Sequence, residues 1–215
     1  MEFSKRMELF QESIFTILAK KAALRRENGK EVIDFSTGTP NIPPTKRIRE
    51  VLANAALDPK NYVYAMNDLP ELIKAVIAWY KKRYEVILED DEICSLLGSQ
   101  EGLAHLAMTL INDSDIVLVP NPSYPIFKDG PLLANANIVD MPLKEENNYL
   151  IDFDKIDPTI AKKAKFMIVS YPNNPTCAIA NDKFYLRLID FAKKYQIIVL
   201  HDNAYSELLF EGLGR

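Results

Sequence analysis

The stretch Val199-Leu200-His201-Asp202-Asn203-Ala204-Tyr205 holds residues that could do chemistry. An apolar run over 197–200 ends in an acid, and a phenol follows three residues later. A carboxylate closing a buried run needs a charged partner or solvent. In open α/β sheets, ligands bind beyond the carboxyl ends of strands, which is where Asp202 and Tyr205 are expected. From this stretch alone, a helix cap followed by a surface tyrosine is an equally good reading. Three earlier stretches follow the same plan. Leu97-Gly98-Ser99-Gln100-Glu101-Gly102 joins an expected strand to an expected helix, where free N–H groups and the helix dipole attract anions. It lacks the glycine pattern of a dinucleotide fingerprint and the Gly-Lys-Ser/Thr of a Walker loop, so a plain turn stays open. Asn121-Pro122-Ser123-Tyr124-Pro125 holds Tyr124 beside prolines, able to stack on a flat ring or to fill a core. Tyr171-Pro172-Asn173-Asn174-Pro175-Thr176 offers two side-chain amides between prolines, or an ordinary turn.

Taken together, four expected strand ends present, in chain order, an anion turn, a rigid aromatic, an amide pair, and an acid with a phenol. That set describes a seat for a flat, phosphorylated heteroaromatic ring with a basic nitrogen and a phenolic oxygen. Pyridoxal 5′-phosphate is such a ligand. An acid at its ring nitrogen keeps the nitrogen protonated and the ring electron-withdrawing.

The elements that must position these residues follow from periodicity. Apolar spacing predicts helices over 7–27, 45–57, 69–84, 100–111, 123–133, 152–160 and 181–195. Strands are expected over 32–35, 92–97, 116–119, 138–141, 166–170 and 197–200. Asn28-Gly29 is a stop signal, Pro70 suits a first turn, and Ser123 and Asn181 or Asp182 are candidate caps. Strands alternating with helices imply an α/β fold with a mostly parallel sheet covered on both faces. A Pro-rich loop near residue 45 divides an N-terminal arm, 1–45, from the βα series, 46–215.

Composition narrows the partners. The net charge is −4, and no basic block tracks a phosphate backbone, so nucleic acid is a poor partner. No apolar stretch approaches the ~20 residues of a membrane span, and the N-terminus lacks the apolar core of a secretory signal. Two distant cysteines and two histidines argue against a structural metal site and for a reducing, cytoplasmic setting. Seven glycines in 215 residues is about half the usual ~7%.

The motifs as a set resemble the fold-type I, class I/II pyridoxal-phosphate-dependent aminotransferases, over about residues 34–209. The segments that carry the likeness are Ser36-Thr37-Gly38-Thr39-Pro40, Tyr64, Gly98-Ser99-Gln100-Glu101-Gly102, Asn121-Pro122-Ser123-Tyr124-Pro125, Asn173-Asn174-Pro175-Thr176 and His201-Asp202-Asn203-Ala204-Tyr205. The likeness is nearest to the branch that includes LL-diaminopimelate and aspartate aminotransferases. It implies the large domain of the aspartate aminotransferase fold, incomplete, with part of the small domain at the N-terminus. It implies amino-group transfer between an amino acid and a 2-oxo acid, and a homodimer or pairing with a full-length relative. By position, Ser99 and Gln100 would hold the cofactor phosphate and Tyr124 would stack on the ring. Asn174 and Tyr205 would bind the ring hydroxyl oxygen, and Asp202 the ring nitrogen. Tyr64 would reach the partner subunit's phosphate, and Gly38 would lie near the substrate carboxylate.

The sequence also departs from the family. The resemblance implies a lysine a few tens of residues after the acid, in a Ser-x-Ser-Lys-like segment, that bonds to the cofactor and moves the substrate proton. No lysine follows Asp202 here. The arginine that grips the substrate carboxylate near the family's C-terminus is also missing. The expectation is a chain inactive alone, with residues 92–97 cut off from the sheet and residues 197–200 left as an open edge. Relatives carry glycine where this chain has Cys177 and near Asn67-Asp68. If those positions need positive φ, each side chain costs on the order of 1 kcal/mol. A non-catalytic dimerisation module, a decayed gene copy and a lyase sharing the same pocket are the alternative readings.

Overall fold

The structure, a computed structural model, describes residues 2–36, 38 and 42–210. Thr37, Thr39 and Pro40 of the first motif lie outside the described residues. The chain divides into two compact units. One runs from Gln11 to Ser95; the other joins the segment up to Phe10 with everything from Leu96 onward.

The Gln11–Ser95 unit is helical, with α1 (Ile14–Glu27), α2 (Lys46–Leu57) and α3 (Pro70–Tyr84). Helix α1 stops as its sequence suggests. Gly29 takes φ +70° and its N–H bonds back to the Arg26 carbonyl. Pro70 opens α3, where its missing N–H costs no bond. The expected helix over 7–27 is broken: Lys5–Leu9 forms a 3-10 turn and α1 begins only after Ser13, whose carbonyl accepts the first bond from Ile17. The early turn belongs to the other unit, where the Arg6 guanidinium donates to the Leu133 carbonyl at 2.8 Å. That tertiary bond overrides the helical spacing.

The expected strand over 32–35 is absent among the described residues, and residues 92–97 are cut off from the sheet, as expected. Residues 32–35 and 92–97 are not paired into any sheet among the described residues. A β-strand exists only through its ladder, and apolar sequence without a neighbouring strand stays extended but unassigned. Leu97 is accordingly 94% exposed.

The second unit carries the sheet. After α4 (Ser99–Leu110) come β1 (Ile116–Asn121), α5 (Ile126–Leu133), β2 (Asn137–Pro142), the short α6 (Pro158–Ala161), β3 (Ala164–Ser170), α7 (Asp182–Tyr195) and β4 (Ile198–Asp202). All four strands are parallel, in the order β2-β1-β3-β4. Strands β1 and β3 are central and buried on both faces, hence their near-continuous apolar sequences. Leu118, Met167 and Val169 face a cluster with Phe153, Phe184 and Phe191. Val117, Val119, Phe166 and Ile168 face the opposite cluster with Leu103, Ala107 and Phe127. The sheet is thus the middle of three layers, with α4 and α5 on one side and α6 and α7 on the other.

Further sequence expectations need correction. Residues 152–160 do not form one helix: Phe153–Lys155 is a 3-10 turn, and α6 starts at Pro158, capped by the Asp157 carboxylate. Helix α5 starts at Ile126 after Pro125, so Ser123 is not its cap. Asn181, in contrast, caps α7 by accepting from the Phe184 N–H at 3.0 Å. Strand β4 is an edge, as expected for the run over 197–200, and extends through Asp202.

Candidate functional site

The site lies at the carboxyl ends of β1, β3 and β4, together with the N-terminus of α4. Gly98 precedes that helix at φ +90°, a conformation that side chains rarely adopt. Among the described residues no side chain caps the first turn. Instead the Glu101 carboxylate accepts the Leu97 N–H at 2.7 Å, and the Glu101 N–H returns to the Gly98 carbonyl at 3.1 Å. These bonds brace the turn while leaving the leading N–H groups of Ser99 and Gln100 for an anion. The Ser99 and Gln100 side chains are exposed beside them.

Tyr124 reaches this helix end from the loop after β1. Its hydroxyl donates to Gln100 Oε1 at 3.3 Å, and its ring packs edge-on to Phe127, centroids 6.2 Å apart. The approach depends on Gly130. A Cβ there would sit 2.6 Å from the Leu103 carbonyl oxygen, so only glycine lets α5 pack this close to α4. The contact between Gln100 and Tyr124 was not legible in the sequence, because it joins residues 24 apart through helix packing.

The amide pair after β3 divides its labour. Asn173 is buried and spends its Oδ1 inside the loop, accepting from the Thr176 N–H at 3.3 Å and hydroxyl at 2.9 Å. Asn174 turns outward and donates to the Tyr205 hydroxyl at 3.2 Å. The loop holding them ends at Cys177, whose φ of +58° is left-handed. The expected strain at that position is therefore present. At Asn67 and Asp68 it is absent, since neither has positive φ. Asp68 instead accepts from both the N–H (3.0 Å) and the hydroxyl of Ser95, which hold its carboxyl below the usual range.

Asp202 closes β4, half-buried, in register with Ser170 of β3. Burial pushes its carboxyl above the ordinary aspartate range, with the neighbouring His201 charge opposing. It accepts no hydrogen bond among the described residues. A half-buried carboxyl in this state is suited to a cationic partner.

The structure thus brings Gln100 to Tyr124 and Asn174 to Tyr205, with Ser99 and Asp202 in the same unit. Tyr64 and Gly38 belong to the other unit; Tyr64 is 88% exposed and Gly38 has open space around its Cβ position. Among the described residues no His/Cys/Asp/Glu cluster could hold a metal, and no helix is long and apolar enough to cross a membrane.

Comparison with known proteins gives one consistent result. The family model described as aminotransferase class I and II matches residues 30–214. An LL-diaminopimelate aminotransferase of Dehalococcoides mccartyi is 42% identical over 99% of this chain and 55% of its own length. The solved alanine aminotransferase of Pyrococcus furiosus superposes with a TM-score of 0.91 at 28% identity, covering 99% of this chain and 55% of that one. The Thermus thermophilus aspartate aminotransferase shares the fold, with a TM-score of 0.90 at 22% identity, covering 100% of this chain and 56% of that one. The chain spans about half the length of the curated relatives it matches.

Proposed function

Because the chain belongs to the class I and II aminotransferases, a pyridoxal-phosphate-dependent family, we propose that it forms the cofactor-holding part of a transaminase. The reaction class is amino-group transfer between an amino acid and a 2-oxo acid. The observation that carries this reading is the half-buried Asp202 carboxyl at the end of β4, with no ion pair or hydrogen bond among the described residues, ahead of the turn that presents Tyr205 to Asn174. A protonated ring nitrogen is the partner such a carboxyl lacks.

The donor set fits the group. Ser99 and Gln100 hold the phosphate through the α4 N-terminus and their side chains. Tyr124 stacks on the ring, steadied by its bond to Gln100. Asn174 and Tyr205 bind the ring's phenolic oxygen as a pair. Asp202 binds the ring nitrogen and, once charged, keeps it protonated. When bound, the cofactor supplies an electron sink for charge developing at the substrate α-carbon. Tyr64 serves the phosphate of a partner subunit, and Gly38 lies near the substrate carboxylate. The N-terminal segment, residues 1–45, acts as an arm and part of the small domain.

These 215 residues contain no lysine after Asp202, and none of them is assigned the role of bonding the cofactor or moving the substrate proton. The chain works as a dimer with itself or with a full-length relative, in the reducing cytoplasm that suits its two free, exposed cysteines. The 42% identity to an LL-diaminopimelate aminotransferase makes that amino acid the first donor to test. The experiment is a titration of the purified chain with pyridoxal phosphate, followed by cofactor absorbance and fluorescence. Saturable binding that Asp202→Ala weakens at least tenfold supports the proposal. Binding unaffected by that substitution, or no saturable binding at all, sinks it.

A further inference from the structure

We infer that Ser170 is a positioning residue for Asp202, donating a hydrogen bond from its hydroxyl to the charged carboxylate when the ring nitrogen is engaged. The inference rests on the proposed cofactor site and adds a residue to it. Strands β3 and β4 run parallel, in register from Phe166↔Ile198 to Ser170↔Asp202. Register partners on parallel strands point to the same face, and that face can be identified. On β3, Phe166 and Ile168 join the cluster with Leu103 and Ala107, while Met167 and Val169 join the opposite one. Ser170 therefore continues the face covered by α4 and α5. On β4, Leu200 packs against that same cluster and Val199 against the other, which puts Asp202 on the Ser170 side.

Ser170 is 1% exposed, and its hydroxyl has no hydrogen-bond partner among the described residues. Buried polar atoms in native proteins are almost always paired, and an exception calls for an explanation. Its neighbours along β3 on this face, Phe166 and Ile168, are apolar and buried, so an alanine or valine would fill the place without stranding a donor. The one ionisable group in register with it is the Asp202 carboxyl, which accepts no other bond among the described residues. At the ~4.8 Å spacing of neighbouring strands, a serine hydroxyl reaches a carboxylate by rotation about χ1. A donated bond favours the charged carboxylate over the neutral acid, and it fixes the direction in which the second oxygen points. His201, on the other face, stacks edge-on against Tyr185 and does not compete for this role.

The test uses the full 215-residue chain and two ligands: pyridoxal phosphate and its 1-deaza analogue, in which CH replaces the ring nitrogen. Ser170→Ala is expected to weaken pyridoxal phosphate binding about tenfold and to leave the analogue's affinity unchanged. In an Asp202→Ala background it should cost nothing further. Ser170→Cys, which keeps the space filled but donates weakly, should behave like Ser170→Ala and guards against a repacking effect. Equal affinity of wild type and both variants for pyridoxal phosphate overturns the inference while leaving the cofactor site standing. Parallel losses on both ligands also overturn it, since they mark a merely structural role. Failure of the wild-type chain to bind pyridoxal phosphate overturns the cofactor site itself, and this inference with it.

Discussion

The Asn174 side-chain amide donates to the Tyr205 hydroxyl at 3.2 Å, tying the loop after β3 to the turn after β4 across 31 residues of sequence. Each residue orients the other, and the proposed site assigns both to the ring's phenolic oxygen. Tyr205→Phe removes one bond to that oxygen and should weaken pyridoxal phosphate binding about tenfold. Asn174→Ala should cost at least as much, because it also releases the phenol. The double variant should lose less than the sum of the two, as coupled groups do. Strict additivity in the binding free energies would show that the pair does not act as a unit.

Asp202 makes the stability of the free chain depend on pH. Its carboxyl is raised in the folded state by burial, with His201 opposing. Between the unfolded value, about 3.9, and the raised folded value, the folded chain binds more protons than the unfolded one. Stability therefore falls as pH rises through that window, and the full penalty is present above it. Asp202→Asn should stabilise the cofactor-free chain near neutral pH and lose that advantage below about pH 4. Urea unfolding of both proteins across this range checks the sign. A wild-type chain equally stable relative to the variant at every pH contradicts it.

Tyr171 sits 3% exposed beneath the loop that carries Asn174, with its pKa pushed far up by burial. Its hydroxyl accepts from the buried Ile151 N–H at 3.0 Å and donates to the Tyr149 carbonyl at 3.2 Å. Tyr171→Phe keeps the ring packing against Phe184 and leaves the buried Ile151 N–H without its acceptor. The expected cost is about 1–3 kcal/mol of unfolding free energy, the penalty for buried groups left unpaired. A change under about 0.5 kcal/mol, the scale of an innocuous surface substitution, would mean that water replaces the hydroxyl.

Cys177 holds φ +58° with an exposed thiol. Cys177→Gly relieves the left-handed strain, worth roughly 1–2 kcal/mol, but frees the unfolded chain further. The net expectation is a stabilisation of about 0.5–1 kcal/mol, read as a higher urea midpoint at unchanged slope. The same substitution at Asn67 or Asp68 should not help. At Asp68 it should destabilise, because Ser95 loses the carboxylate that accepts its N–H.

The positions of these polar groups at strand ends were readable from residue types because each motif is local. An apolar run that ends in Asp202, a tyrosine beside prolines and amides between prolines each follow from a few neighbouring residues. The helix ends at Gly29 and Asn181 were equally local, since caps are decided within one turn. What depended on partners far along the chain could not be read this way. Residues 32–35 look like a strand yet pair with no neighbour among the described residues, and the segment before Ser13 looks helical yet is held elsewhere through Arg6. Only the tertiary structure put Gln100 against Tyr124, assigned Asn173 to the loop and Asn174 to Tyr205, and set Ser170 beside Asp202 on one face of the sheet. The physical reason is range. Residue type and spacing determine what a segment can donate, accept or bury, whereas register and packing decide which of those groups meet.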